Sequence, residues 1–338
     1  MRVGMIGAGV MARAHLREMV GRDDTVIAAM CEPAHEAYET AAAQIEASGA
    51  PRPPNEPDWE RFLTTTARRL ALDAVMIVTP HALHAAQATS ALECGLDVLL
   101  EKPMVMNEAE AVDLIRTRDR TGRLLVVGFQ GSLSPNVRAA AALLRSGELG
   151  AILNVNALVW QDWHFWSAGT WRETPALSGG GFMFDTGAHM LNTVADLAGE
   201  DVAQVAALLE DDGNPVDVRG AVIARLESGA LITMNGCGRA IPSLGSDLRV
   251  YCERGTLRTG IWGERLELQR YGARTLRPVR SVRPKTVWQQ FVDVRSGAEP
   301  NPSPPEVGLR MARLWDAIRE SSARGGAVVM PIREADAA

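Results

Sequence analysis

The chain has 338 residues, 46% of them hydrophobic and 22% charged, with a net charge of −6. That amounts to about two domains of ordinary globular composition, without the basic tract that nucleic-acid binding needs. No run of about 18 apolar residues is present, which argues against a membrane span. Cys31, Cys94, Cys237 and Cys252 are spaced for neither a metal nor a disulfide framework.

Residues 2–6 enter a strand at once, with no charged region ahead of an apolar leader, so a cytoplasmic location is expected. Residues 25–30, 73–79, 97–100 and 124–129 read as further buried strands. Helical patterns fall between them at 10–20, 34–47, around Trp59, Phe62 and Leu63, and at 81–94, where Gly95 stops the helix. Asn107 with Glu110 three residues on resembles a capping box for a helix reaching Arg120. This alternation predicts a doubly wound parallel α/β domain over residues 1–130. Four prolines within 51–57 mark a loop.

Beyond Ser134 the pattern changes. A helix runs to Arg145, and strands follow at 202–209, 218–226, 231–235, 248–252 and 266–269. Only one clear helix, over 185–197, interrupts this half before the terminal one. Short spacing without intervening helices predicts an α+β domain over 131–338 with a mostly antiparallel open sheet. After a second proline-rich loop at 300–305, Met311, Leu314, Trp315 and Ile318 fall at i, i+3, i+4 and i+7. The terminal helix, 307–324, is therefore amphipathic and is expected to pack back at the domain junction.

The first strand runs into Gly7-Ala8-Gly9-Val10-Met11-Ala12. Glycines at the first and third positions allow a tight turn and close approach to a pyrophosphate, and the helix start offers amide donors. Ala12 lets the helix pack near the strand. Glu32 follows the second strand, where a carboxylate accepts ribose hydroxyls and repels a 2′-phosphate, so NAD is favoured over NADP. Thr79, Pro80 and His84 belong to the loop that leaves the carboxyl edge of the strand at 73–79, where cofactors lie in such sheets.

Alcohol oxidation needs a base for the hydroxyl proton and a donor or cation for the oxygen. Asp185 and His189, spaced i, i+4, share one helix face, and a carboxylate can orient an imidazole. Ser178-Gly-Gly-Gly181 ahead of them is a run that lets backbone approach a ligand closely.

Gly7-x-Gly9-x-x-Ala12-x-x-His15, Thr79-Pro-His-Ala-Leu-His84, Glu101-Lys102-Pro103, Trp171-Arg172 and Ser178-Gly-Gly-Gly-Phe-Met-Phe-Asp185-Thr-Gly-Ala-His189 occur in this order. Gly147-Glu-Leu-Gly150, Trp288-Gln-Gln-Phe291 with Gly297-Ala-Glu-Pro300, and Ser321-Ser322 follow. Together they resemble the glucose–fructose oxidoreductase, inositol dehydrogenase and rhizopine-catabolism (Gfo/Idh/MocA) family over nearly the whole chain. The resemblance implies that Lys102 touches nicotinamide ribose and substrate, with Glu101 beside the cofactor. It makes Asp185 and His189 the catalytic acid and the general base or acid. It also implies sugar or cyclitol substrates and an oligomerising sheet, here expected as a homodimer or homotetramer.

Two positions depart from the family pattern. Asn192 stands where an aspartate is common three residues after the histidine. Phe129-Gln130-Gly-Ser-Leu replaces a frequent arginine or histidine, so that polar substrate contact is either absent or taken by Gln130. Trp160, Trp163, Trp166 and Trp171 cluster with His164, a group that suits either the apolar faces of a sugar ring or core packing and an interface; Trp163 and Arg172 are the expected sugar contacts. His35, His81 and His164 lack paired ligand spacing and read as surface or loop residues, so no metal is expected.

The expected activity is NAD-dependent hydride transfer at a secondary hydroxyl of a sugar, sugar derivative or cyclitol. The same motifs would serve a glycosidase or lyase working through transient sugar oxidation, or a non-catalytic cofactor-binding regulator.

Overall fold

The computed structural model describes residues 1–240 and 245–331. They form two compact units, one of Met1–Gly128 with Lys285–Pro305, the other of Phe129–Pro284 with the chain from Glu306 onward. The segment Lys285–Pro305, assigned by sequence to the second part, therefore belongs with the first.

In the first unit β1 (Arg2–Ile6) leads to α1 (Val10–Met19), β2 (Val26–Cys31) and α2 (His35–Ala47). Then come β3 (Ala74–Ile77), α3 (His84–Glu93), β4 (Asp97–Leu100), α4 (Glu108–Thr121) and β5 (Leu125–Val127). The strands make one sheet of order β2-β1-β3-β4-β5, parallel throughout. Apolar runs such as Ala74–Ile77, buried at every position, suit strands covered on both faces. The order reverses at β1, so the turns after β1 and β3 open at the crevice where such sheets take ligands. Asn107 Oδ1 accepts the Glu110 N–H at 2.9 Å and Glu110 reaches back to the Met106 N–H, a reciprocal cap that starts α4.

The returning segment carries a helix, Val287–Arg295. Trp288 Nε1 donates to Thr25 Oγ1 at 2.9 Å, Arg295 Nε to Asp97 Oδ2 at 2.8 Å, and Asn301 Nδ2 to the Leu125 carbonyl at 2.9 Å. Trp288 and Phe291 are fully buried, so this helix supplies core as well as polar pins. Nothing local in its sequence says which unit it joins.

The second unit contains, after a short helical turn, α5 (Pro135–Arg145) and β6 (Ile152–Trp160), then α6 (Phe182–Asp185) and α7 (Gly187–Ala198). Seven strands follow: β7 (Val202–Glu210), β8 (Arg219–Leu226), β9 (Leu231–Cys237), β10 (Gly245–Cys252), β11 (Gly255–Thr259), β12 (Leu266–Arg270) and β13 (Arg277–Pro278). The eight form one sheet of order β13-β12-β11-β10-β6-β9-β8-β7, antiparallel except for β6 against β9. The sequence reading lacked β6, whose outer face mixes Asn154 and Asn156 with Leu158 and Trp160, so its polar alternation breaks off halfway although Val155, Ala157 and Val159 are buried. Along β8 exposure alternates strictly, with Gly220, Val222, Ala224 and Leu226 inward, as a half-buried strand requires.

The last helix, α8 (Pro305–Ala323), secures the β7 edge: Ser321 and Ser322 hydroxyls accept the Ala207 and Leu209 N–H groups at 2.8 and 3.0 Å. These bonds satisfy an edge that would otherwise expose unpaired backbone. Among the described residues, no helix is long and apolar enough to cross a membrane.

Candidate active site

Gly7 closes the turn after β1 at φ +99°, and a Cβ there would sit 2.3 Å from the Val78 carbonyl oxygen. Only glycine meets both demands. Gly9 caps α1 without a side-chain bond, and a Cβ placed on it would meet nothing within 4 Å. Val10 and Met11 at the helix start are exposed while Ala12 is buried. This open, uncapped helix start has the amide donors a pyrophosphate needs. Glu32 reaches back to the same turn: its Oε2 accepts the Ala8 N–H and its Oε1 the Ala34 N–H, each at 2.8 Å. Each oxygen keeps a lone pair for a further donor. The residues present therefore fit a dinucleotide.

At the end of β3, Thr79 Oγ1 donates to Gln87 Oε1 at 2.7 Å. His84 is fully buried, with Nδ1 2.7 Å from the Pro103 carbonyl and Nε2 3.0 Å from that of Thr79. Burial pushes its pKa down against those carbonyls and the nearby Glu101. His84 thus lies between the Thr79-Pro80 turn and the Lys102-Pro103 turn, with each ring nitrogen beside a backbone carbonyl. His81, expected as a surface or loop residue, starts the short turn His81–Leu83 and is buried beside the His84 ring.

Lys102 follows the end of β4 and is joined to Pro103 by a cis peptide bond. Its N–H donates to Glu101 Oε2 at 3.0 Å, while Glu101 Oε1 lies 2.6 Å from His15 Nε2 on α1. Burial alone would lower the His15 pKa, but the hydrogen bond and charge of Glu101 outweigh it and the net direction is upward. Burial would raise Glu101, yet His15 and then Lys102 hold it below the usual carboxylate range. The Glu101 carboxylate therefore braces the lysine turn from within the unit. Sequence reasoning quoted His15 only as part of a motif and missed this pair.

In the second unit Asp185 ends α6 and His189 lies in the first turn of α7, both buried. The single helix expected over 185–197 is divided at Thr186, whose hydroxyl donates to Gln161 Oε1 at 3.0 Å. Asp185 Oδ2 accepts two bonds of 2.8 Å, one from Trp163 Nε1 and one from Arg172 Nε. The Arg172 guanidinium lies 4.5 Å from the Trp171 ring centroid and 5.2 Å from that of Trp166, a cation–π pairing that limits where it can turn. Trp163, expected to present its ring to a sugar, is 1% exposed and packs edgewise on Phe182 and Trp166. Its polar tip serves Asp185, and the exposed indole of the cluster is Trp166. The His189 ring lies edge-on to Phe129 and tilted against Trp262; nothing in the sequence around Trp262 marked it.

The glycine run has a different use from the one its sequence implies. A Cβ on Gly181 would fall 1.9 Å from the Asp217 carbonyl oxygen, and one on Gly180 would strike Trp315 and Phe184. Asp217 Oδ1 and Oδ2 accept the Gly181 and Met183 N–H groups at 2.7 and 2.8 Å, and its carbonyl accepts that of Phe182 at 2.7 Å. The run lets backbone meet backbone, which seats the turn leading to Asp185. Sequence reasoning also missed Asp217, which sits outside every motif.

Asn192 is buried and donates from Nδ2 to Ser132 Oγ at 2.8 Å; Ser132 in turn donates to Asp196 Oδ2 at 2.8 Å. Asp196 also pairs with Arg138 and Arg145. An amide can donate to Ser132 while that hydroxyl serves Asp196; a carboxylate could not. Gln130 is exposed at the start of a short helix, Gln130–Leu133.

A parallel sheet with a phosphate-ready turn, in one chain with an open-sheet unit bearing buried Asp185 and His189, is the architecture of a nucleotide-binding unit joined to an α+β unit. Residues 1–129 match the oxidoreductase family with an NAD-binding Rossmann fold, and residues 137–258 match the Gfo/Idh/MocA C-terminal domain. The chain belongs to the Gfo/Idh/MocA oxidoreductase family. It is 31% identical over 160 residues, 47% of its length, to inositol 2-dehydrogenase of Corynebacterium glutamicum. It is 26% identical over 213 residues, 62% of its length, to levoglucosan dehydrogenase of Pseudarthrobacter phenanthrenivorans. These matches span 45% and 54% of the relatives' own lengths. An oxidoreductase domain protein of Kribbella flavida shares the fold, with a TM-score of 0.82 and 24% identity over 98% of this chain and 99% of that one.

Proposed function

We propose that the chain is an NAD-linked dehydrogenase acting on a secondary hydroxyl of a sugar, sugar derivative or cyclitol. The observation that carries this reading is the buried Asp185 carboxylate, held by Trp163 and Arg172 on the helical turn before His189. A carboxylate fixed in this way can orient and stabilise an imidazole that takes a proton. Relatives named as inositol and levoglucosan dehydrogenases support the substrate class.

Gly7, Gly9, Val10, Met11 and Ala12 hold the dinucleotide phosphates, and Glu32 accepts the adenosine ribose hydroxyls. Thr79 and Pro80 shape the wall beside the ribose, with His84 behind them. The bound nicotinamide supplies the hydride acceptor. His189 removes the hydroxyl proton, Asp185 orients it, and Lys102 stabilises the oxygen as negative charge develops on it. Arg172 and Gln130 contact the polyol, while Trp163 acts from behind Asp185.

The outer sheet face exposes Leu208, Ile223 and Leu231, which supports association with a second copy of the chain. Four unpaired cysteines are in keeping with a reducing compartment such as the cytoplasm.

Reduction of NAD should be followed at 340 nm across a panel of inositols, anhydrosugars, aldoses and sugar acids. The expected result is turnover with at least one member, lost in His189→Ala. Full turnover by His189→Ala on the best substrate overturns the assignment. Glycoside cleavage without net NADH would reassign the same residues to transient oxidation.

A further inference from the structure

Glu32 is held by a residue that no motif contains. Asn55 Oδ1 accepts the Glu32 N–H at 3.0 Å, and Asn55 Nδ2 donates to the Glu32 carbonyl at 2.9 Å. This reciprocal pair fits one orientation of the amide and fixes the peptide planes on both sides of Glu32. Asn55 lies in the proline-rich loop, which runs along the free edge of β2. Met30 and Asn55 form a parallel bridge, with the Met30 N–H bonded to the Pro54 carbonyl and the Glu56 N–H to that of Met30. The loop thus takes up edge groups that would otherwise turn to water. Pro33 follows Glu32 and has its own φ fixed by its ring.

We propose that Asn55 is a positioning residue for cofactor choice, locking Glu32 where its carboxylate serves a ribose 2′-hydroxyl and rejects a 2′-phosphate. The inference rests on the NAD-linked reading above. Without the amide, the Glu32 N–H and C=O bond to water and the backbone regains freedom. The carboxylate can then leave the Ala8 N–H and admit a phosphate. Arg52, the one cation of residues 51–57, is committed to Glu39 and Glu46 and stacks on Tyr38. Within this loop, discrimination therefore falls on how firmly Glu32 is held.

Fluorescence titrations with NADH and NADPH need no knowledge of the substrate. Wild type should bind NADH more tightly than NADPH, and Asn55→Ala should narrow that ratio about tenfold, the scale set by losing one or two neutral hydrogen bonds. Glu32→Ala should narrow it further. The double variant should match Glu32→Ala, because the asparagine acts only through the glutamate. Asn55→Ser, which keeps a single hydroxyl, gives the same reading should the alanine variant not fold. An unchanged ratio in these variants, or additive effects in the double variant, overturns the inference alone. Binding of neither nucleotide by wild type overturns the dehydrogenase reading and this inference with it.

Discussion

The indole N–H of Trp163 donates to Asp185 Oδ2 at 2.8 Å, from a side chain that solvent barely reaches. Trp163→Phe keeps the packing on Phe182 and removes that donor. A hydrogen bond to a charged group contributes about 1.5–3 kcal/mol, so kcat/KM on the best substrate should fall about tenfold or more. NADH affinity should stay the same. Steady-state kinetics beside a cofactor titration separate the two.

Arg172 is the second donor to that oxygen. Arg172→Met keeps some apolar contact with the neighbouring indoles but takes this guanidinium away from the Asp185 carboxylate. Removing one partner of a buried pair costs about 3–5 kcal/mol; because the guanidinium is partly exposed, about 2 kcal/mol is expected. Urea unfolding should show a lower midpoint with an unchanged slope.

The His15–Glu101 pair sets a pH window. Glu101 has its pKa lowered, so its contribution is present above the ordinary carboxylate value and is lost as pH falls through the lowered one. His15 has its pKa raised, so its contribution is present below the ordinary imidazole value and is lost as pH rises through the raised one. The pair therefore stabilises most at about pH 5–6. His15→Leu should lose the most stability relative to wild type there, and the gap should close toward both extremes. Thermal unfolding of both proteins from pH 3 to 9 would show it, and a constant gap would contradict it.

Asn192→Asp restores the commoner family residue but sets a carboxylate beside Ser132, whose one proton goes to Asp196. An unpaired buried acceptor costs about 1–3 kcal/mol. The variant should be less stable than wild type, with the deficit growing above about pH 5 as the new carboxylate ionises.

Gly181→Ala tests whether the run serves packing. Its φ is ordinary, so strain does not enter, and the obstacle is the Asp217 backbone. Shifting that contact should cost about 1–3 kcal/mol and displace Asp185, so stability and kcat should fall together.

The sequence exposes the first unit's strands because each is a short buried run ending in a turn residue. The Asp185–His189 spacing and the glycine turn were equally legible, since both are local. What Trp163 does was not: an indole's partner lies 22 residues away, and composition cannot distinguish a sugar platform from a hydrogen-bond donor. The glycines at 180 and 181 read as room for a ligand because the side chain and backbone that fill that room, Trp315 on α8 and Asp217 in the loop before β8, are far away in the sequence. The 51–57 segment reads correctly as a loop, but its bridge to Met30 follows from the free edge of β2, which appears only once the sheet is assembled.

The return of Lys285–Pro305 to the first unit affects the order in which the protein can be made. The partners of Trp288, Arg295 and Asn301, namely Thr25, Asp97 and Leu125, leave the ribosome long before them. The nucleotide half therefore waits, its last helix missing, while the whole open sheet is synthesised. A fragment cut near residue 130 would keep the glycine turn and lose this closing piece, and so would be a poor stand-in for the cofactor unit of the intact chain.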